Sequence, residues 1–536
     1  MKIGINASWM TPGAAGGQEW YVRNLIDRLG VIDIENEYLL VAAPNNFKTW
    51  KLPNSRWEMC VYVGDENAPG AFRTLPCSPA LEDPPRVDPL RRLYRRLRGW
   101  YTADAWNGRL GRLIQSRGVG LWFCPFMWAL PTDTEVPIVV NIPDLQQEHL
   151  PHFFDDDQNA MRSLGYQYSA KIATATIAVS EFSAADIVQR YGIEPDRVFG
   201  IPLGIDPSLM VGPETCKQLA AASRLAHRLD GDFIYYPSAG WPHKNHENLV
   251  RALAIVKKSV GRVKLVLTGW KFDVMHRLRP LLRDLGMQDD VLHLGYINRA
   301  DLIGLYAAAS LVAFPSMFEG FGLPVAEAMH FGTPVACSSA GSLGEVGGDA
   351  VLQFDPGNVE QIAQSILRIL TDASTRQRLR EAGPKRAEKF SYDNVARRHL
   401  ELFNRIRDGG LKPPGLPPFR PVIPHKWIFD GHARWYFHAV APRAMSLRVV
   451  QPTTLAELAD QNVRVLINGQ VVFDAPALPQ QIVEVDRELS DARSDGFHCI
   501  EVIASRTYPV KGEKLSVQVL SLTVTDAAGR QLKLVP

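Results

Sequence analysis

Two glutamates, Glu319 and Glu327, stand eight positions apart in the segment EGFGLPVAEAM at residues 319 to 329. The apolar run LVAFPS precedes it, and Pro324 suits the first turn of a helix that must stop before Gly332 and Pro334. Glu319 is then expected on the entering loop and Glu327 in the first helical turn, with Gly320 and Gly322 letting the backbone approach a ligand closely. The amides that open such a helix attract an anion, and a diphosphate fits there. A carboxylate beside a diphosphate would repel it, so Glu327 suits uncharged hydroxyls such as those of a ribose. Glu319 would then face the far end of the same ligand. From spacing alone, the pair could equally be a capping acid and a surface acid.

Such a loop needs a strand before it and a helix after it, and that alternation runs from Lys2 to about residue 405. KIGINASWM, YLLVAA, LWFC, IVVNIP and ATIAVS read as strands of a first unit, and Ser180 or Ser183 could cap the helix of SEFSAADIVQRYG. A second unit starts at FIYYPSAG and continues through VKLVLTGW and LVAFPS. VFGIPLGIDPS, with Pro202, Gly204 and Pro207, reads as the linker between them. The expected architecture is α/β: a first Rossmann-like domain over 1–203, with an irregular insertion at about 50–115, and a second Rossmann-like domain over 204–390. A crossover helix over 391–408 follows. Ligands of such sheets bind in the crevice at the strand carboxyl ends, here the cleft between the units.

After Asp408 the texture changes. Residues 409–424, GGLKPPGLPPFRPVIP, favour an extended spacer. Over 425–536 no helical pattern is evident, and Asn468-Gly469 between β-rich runs signals a tight hairpin. A β-sandwich is expected there, either as a carbohydrate-binding module or as a packing and oligomerisation module.

Composition narrows the function class. The 536 residues carry 59 basic and 57 acidic side chains, a balance that gives no general affinity for nucleic acid. The six cysteines are scattered without a C-x-x-C pair, which excludes a zinc or redox motif and fits reduced thiols in a cytoplasmic protein. The first ten residues lack the charged start and apolar run of a secretory signal, and no run approaches the ~20 apolar residues of a membrane span. RRLYRRLRGWY, Arg91 to Tyr101, sets Leu93 and Leu97 among arginines. As a helix it could rest on an anionic membrane at the inner face of the plasma membrane, or it could be a solvated, salt-bridged element.

EGFGLPVAE resembles the E-x7-E signature of retaining glycosyltransferases of the GT-B fold, and FPSMFEGFGLPVAEAMHFGTPV with SLGEVGGDAVLQFDP is similar to the donor-domain motif of their family 4. VSEFSAADIVQRYG with IPLGID is similar to the end of its acceptor domain. The resemblance covers most of residues 1 to 405 and none of the C-terminal module. It implies a GDP- or UDP-linked nucleotide-sugar donor, a glycan or lipid-linked acceptor, transfer with retention and no metal. Position by position, it implies that Glu327 binds the donor ribose and Glu319 the sugar hydroxyls. The amides of Phe321, Gly322 and Leu323 line the sugar and phosphate end. Lys244 in PSAGWPHKN neutralises the leaving diphosphate, and Gly16-Gly17 matches the glycine-rich loop that admits donor and acceptor.

The sequence departs from the pattern twice. His243 stands where an arginine is frequent, so a bidentate phosphate clamp is replaced by an imidazole that is either neutral or charged by the phosphate itself. Pro143-Asp144 stands where a His-Asp pair is common, leaving Asp144 to orient the acceptor hydroxyl, with His149 and His152 as nearby substitutes for the histidine. Asp155-Asp156-Asp157 follows a proline-aromatic loop and suits a helix start better than a metal-binding D-x-D. No residue reads as a nucleophile beneath the sugar. The reading that follows is a hexosyltransferase, with mannose a natural donor sugar, making cell-surface polysaccharide. Competing readings are an enzyme of the same fold with a small soluble acceptor, and a noncatalytic glycan-binding or scaffold subunit with a degenerate fold.

Overall fold

Short runs such as LWFC, IVVN and ATIA are buried at every position, as strands covered by helices on both faces must be. The computed structural model describes residues 1–10, 17–43, 46–62, 72–75, 110–131, 134–154, 156–269 and 274–414, together with strands between 427 and 535. In the first unit the strands are β1 (Lys2–Asn6), β2 (Glu37–Ala42), β3 (Trp57–Tyr62), β4 (Phe72–Leu75), β5 (Leu121–Cys124), β6 (Ile138–Asn141), β7 (Ala175–Ala178) and β8 (Val198–Gly200). They form one sheet in the order β4-β3-β2-β1-β5-β6-β7-β8, parallel except for the β3–β4 pair.

The second unit holds β9 (Phe233–Pro237), β10 (Lys264–Thr268), β11 (Val291–His293), β12 (Leu311–Phe314), β13 (Val335–Ser338) and β14 (Leu352–Phe354). Their order is β11-β10-β9-β12-β13-β14, all parallel. Both sheets therefore reverse direction of strand addition next to their first strand, between β1 and β5 and between β9 and β12. Loops leaving those strands open into a crevice.

Two local expectations differ from what is observed. The stretch read as an irregular insertion contains β3 and β4, which extend the sheet, and a helical run at 110–116. WEMCVY pairs with β2 despite its Glu58 because Trp57, Met59 and Val61 alternate into the core. The segment read as a linker begins with β8, paired to β7. Of the two serines read as possible caps, Ser180 caps the helix Glu181–Tyr191, accepting the Ser183 amide at 3.0 Å. Arg91 to Tyr101 lies outside the described residues.

The helix Tyr392–Arg407 returns to the first unit, where Val395, Leu402 and Phe403 join its core. Buried His399 fixes the helix: its Nδ1 donates to the Val395 carbonyl at 2.8 Å, so Nε2 accepts the Tyr21 hydroxyl at 2.6 Å. Beyond it, the strands form two antiparallel sheets, β15 (Trp427–Phe429) with the strands around Glu513–Asp526, and β16 (His432–Ala439) with Gly496–Ala504 and its neighbours. Ile467 stands opposite Gln470, the register that a two-residue turn at Asn468-Gly469 demands.

Candidate active site

The loop leaving β9 is a 3-10 turn, Pro242–Lys244, ending at Asn245 in the left-handed region (φ 61°). That backbone cost is offset by the Asn245 side-chain amide, which donates to the carbonyls of Pro315 at 3.0 Å and Pro356 at 2.8 Å. The Tyr236 hydroxyl donates to the Lys244 carbonyl at 2.6 Å, and the Met317 amide to the His243 carbonyl at 2.8 Å. The turn is thereby bolted to the end of β12, and Lys244 Nζ donates to Glu319 Oε1 at 2.5 Å. His243 beside it is largely desolvated, and this together with the neighbouring Lys244 charge pushes its imidazole down to about 4. At neutral pH it is uncharged.

Glu319 opens the loop leaving β12. The Ser342 amide and hydroxyl both donate to its carbonyl at 3.1 Å, and the same hydroxyl lies 3.0 Å from the Phe321 carbonyl. Gly322 has φ 98°, and a Cβ there would come within 2.3 Å of Leu343. The turn therefore requires glycine. Phe321 is buried edge-on against Phe390, with ring centroids 5.2 Å apart. The amides of Phe321, Gly322 and Leu323 have no partner among the described residues and lie at the start of the helix Leu323–His330.

Glu327 lies one turn into that helix, in the second turn rather than the first, because the helix already begins at Leu323. Its Oε2 accepts the hydroxyl of Tyr306 at 2.6 Å. Burial pushes its carboxyl above the ordinary range, with Asp206 adding to the effect and Arg299 opposing it. Arg299 pairs with Asp206 at 2.6 Å and lies 4.9 Å over the ring of Trp20, which comes from the first unit. These residues line a cavity of about 420 Å³ between the two units, with Gly17, Leu323 and exposed Tyr296 also on its wall.

Across the cleft, Asp144 Oδ1 accepts the Gln146 amide at 3.0 Å. Burial pushes its carboxyl up, and the charge of Glu319 adds to this while Arg162 and Lys244 oppose it. Gly320 packs so tightly on Asp144 that a Cβ would lie 2.6 Å from Oδ2. A Cβ on Gly17 would lie 3.6 Å from Leu323 Cδ1. Asp144, Lys244, Glu319 and Gly320 thus form one cluster, and Glu327 with Gly17 and Leu323 a second beside the cavity. His149 is engaged elsewhere, with Nε2 2.7 Å from Asp186 and its ring stacked on Phe318 at 4.6 Å. His152 is exposed and packs against Phe153.

Sequence reading missed Tyr306, Asp206 and Arg299, and it missed the direct Lys244–Glu319 pairing. The signal for Arg299 was its place after Asn298, whose side chain caps the next helix. Among the described residues no group of three His, Cys, Asp or Glu side chains is placed to hold a metal ion, and Cys124, Cys216 and Cys337 are free thiols. No helix among the described residues is long and apolar enough to cross a membrane.

Residues 15–209 match the family model Glycosyltransferase Family 4, and residues 220–386 match Glycosyl transferases group 1. The O-antigen chain mannosyltransferase B of Escherichia coli is 30% identical over 274 residues, which are 50% of this chain and 70% of that protein. The serotype-specific mannosyltransferase WbdA of the same organism is 28% identical over 237 residues, 44% of this chain but only 29% of the relative. In fold, sucrose-phosphate synthase from Thermosynechococcus elongatus superposes with a TM-score of 0.57 at 20% identity, covering 76% of this chain and all of that one. The paired Rossmann-like sheets are therefore the GT-B arrangement, and the chain belongs to the family 4, group 1 glycosyltransferases.

Proposed function

We propose that the chain is a retaining, metal-independent hexosyltransferase that moves a sugar, mannose first among the candidates, from a GDP- or UDP-linked donor to a glycan or lipid-linked acceptor in surface polysaccharide synthesis. The observation that carries this reading is the placement of Lys244, Glu319 and Asp144 together at the carboxyl ends of strands on both sides of the cleft, beside a cavity walled by Glu327. The mannosyltransferase relatives support the sugar.

In this mechanism the nucleoside fills the cavity with its ribose hydroxyls on Glu327, and the diphosphate meets the amides of Phe321 to Leu323 and the ammonium of Lys244. The bond from the anomeric carbon to the leaving phosphate oxygen breaks, and the acceptor oxygen bonds to that carbon on the same face. The acceptor proton passes to the leaving phosphate, and Asp144 orients the hydroxyl. No residue of the sequence reads as a nucleophile beneath the sugar, which is why the front-face route is proposed over a double displacement. Stabilisation of the departing diphosphate is then the main source of rate. His243 adds a hydrogen bond but no charge. We assign the C-terminal strands to a β-sandwich that holds glycan, and Arg91 to Tyr101 to contact with the cytoplasmic membrane face.

The test is a thermal-shift series with GDP, UDP, ADP and TDP and their sugar conjugates in EDTA. A ligand at 100 times its dissociation constant adds about 2.7 kcal/mol. A shift with one base, abolished in Glu327→Ala, supports the reading. No shift with any nucleotide, from folded protein, contradicts it.

A further inference from the structure

Glu345 belongs to the donor domain, on the short helix Leu343–Gly347, yet its carboxylate is bonded to the acceptor domain. Its Oε1 accepts the amide of Glu181 at 2.9 Å and its Oε2 the amide of Phe182 at 2.8 Å. These are the first two N–H groups of the helix Glu181–Tyr191, which have no intrahelical acceptor and sit at the positive end of the helix dipole. The next amide, of Ser183, is already satisfied by Ser180. Glu345 therefore completes the amino-terminal cap of a helix from the other domain.

Both ends of this contact are braced. Arg386 donates to the carbonyls of Glu345 and Val346, fixing the short helix. On the acceptor side Glu181 packs on Gly200, where a Cβ would lie 2.6 Å from its Cδ, and Arg398 of the crossover helix approaches its carboxylate at 3.5 Å.

The contact bears on the reacting loop. The hydroxyl of Ser180, which caps the same acceptor helix, donates to the carbonyl of Gly320 at 2.8 Å. Ser342, immediately before the Glu345 helix, holds the carbonyls of Glu319 and Phe321. The segment Glu319–Phe321 thus hangs between a serine of one domain and a serine of the other, and Glu345 is what ties their two helices together. Its side chain is exposed, and beside it Phe318 of the donor domain is buried against Phe182 and His149 of the acceptor domain, so the polar latch stands next to an aromatic contact between the same two domains.

We propose that Glu345 is a positioning residue: its carboxylate latches the acceptor helix to the donor domain and thereby sets the Glu319–Phe321 loop for transfer. The consequence for turnover rests on the transferase reading above; the latch itself does not. The test places a fluorophore pair at exposed Glu194 and Glu381 of the full chain and compares wild type, Glu345→Ala and Glu345→Gln. The expected result is a longer interdomain distance in Glu345→Ala, with Gln intermediate because it keeps one acceptor oxygen. In parallel, kcat falls about tenfold or more while the Kd for nucleoside diphosphate, bound by the donor domain, stays within about threefold. An unchanged distance overturns the proposal, and so does a longer distance with kcat within about twofold of wild type. If wild type transfers no sugar, the distance alone decides: a shift supports the latch and no shift overturns it.

Discussion

Lys244 Nζ lies 2.5 Å from Oε1 of Glu319, and the two side chains are only 17% and 13% exposed. One residue is delivered by the loop after β9 and the other by the loop after β12. Those two strands are neighbours at the switch point of the donor sheet. The ammonium has an anionic partner within the protein, so a diphosphate must compete with Glu319 for it.

Glu319→Gln removes that competition. Nucleoside diphosphate should bind about tenfold more tightly, equivalent to ~1.4 kcal/mol, while sugar transfer falls because the sugar hydroxyls lose their carboxylate. Calorimetric titration and a transfer assay on the same preparation check both directions.

His243 supplies no charge at neutral pH, so His243→Ala should leave turnover at pH 7.5 within about threefold of wild type. His243→Arg restores a charged, bidentate donor and should tighten nucleoside diphosphate binding by about tenfold. A large loss in the alanine variant would mean that the imidazole becomes charged when the phosphate arrives.

The raised carboxyl of Glu327 predicts a pH step in affinity. Ribose hydroxyls need the carboxylate, so nucleotide binding strengthens as pH rises through the raised value and then levels off. Stability moves the opposite way. The folded protein holds this proton more firmly than the unfolded chain, so the contribution is full below the unfolded value and declines as pH rises through the folded one. Tyr306→Phe removes the 2.6 Å hydrogen bond and should move the affinity step to higher pH. The same step persisting in Glu327→Gln would assign it to another group.

Gly320→Ala places a methyl group 2.6 Å from Asp144 Oδ2. Overpacking of this kind costs about 1–3 kcal/mol, and turnover should fall about tenfold as the cleft is forced apart. Adding Asp144→Gly, which removes both Oδ2 and the Cβ that would lie 2.7 Å from the new methyl group, should recover part of the lost Tm but not the turnover, which separates the clash from the role of the carboxyl in orienting the acceptor.

The strands were legible because most are continuous apolar runs bounded by turns. β3, β4, β8, β11, β13 and β14 were not: β3 lies in a stretch crowded with prolines and carries Glu58 on one face, and the other five have only three or four residues each. The site residues on the loops after β9 and β12 could be named because glycine, proline and charge are concentrated there. Which residues they pair with could not. Lys244 and Glu319 are 75 positions apart, Glu345 and Glu181 are 164 apart, and only the strand order brings each pair together. Tyr306 was hidden for a different reason, since a tyrosine on an apolar helix face reads as core until its hydroxyl is seen on Glu327.

The most direct measurement is release of nucleoside diphosphate from sugar nucleotides, GDP-mannose first, with a glycan acceptor and EDTA present, for wild type and Lys244→Ala side by side. The account predicts acceptor-dependent release by wild type that drops about 100-fold or more in the variant, the size of effect expected from removing a group that stabilises the leaving charge. Release that is equal in the two proteins, or none from folded wild type with any of the sugar nucleotides, would contradict it.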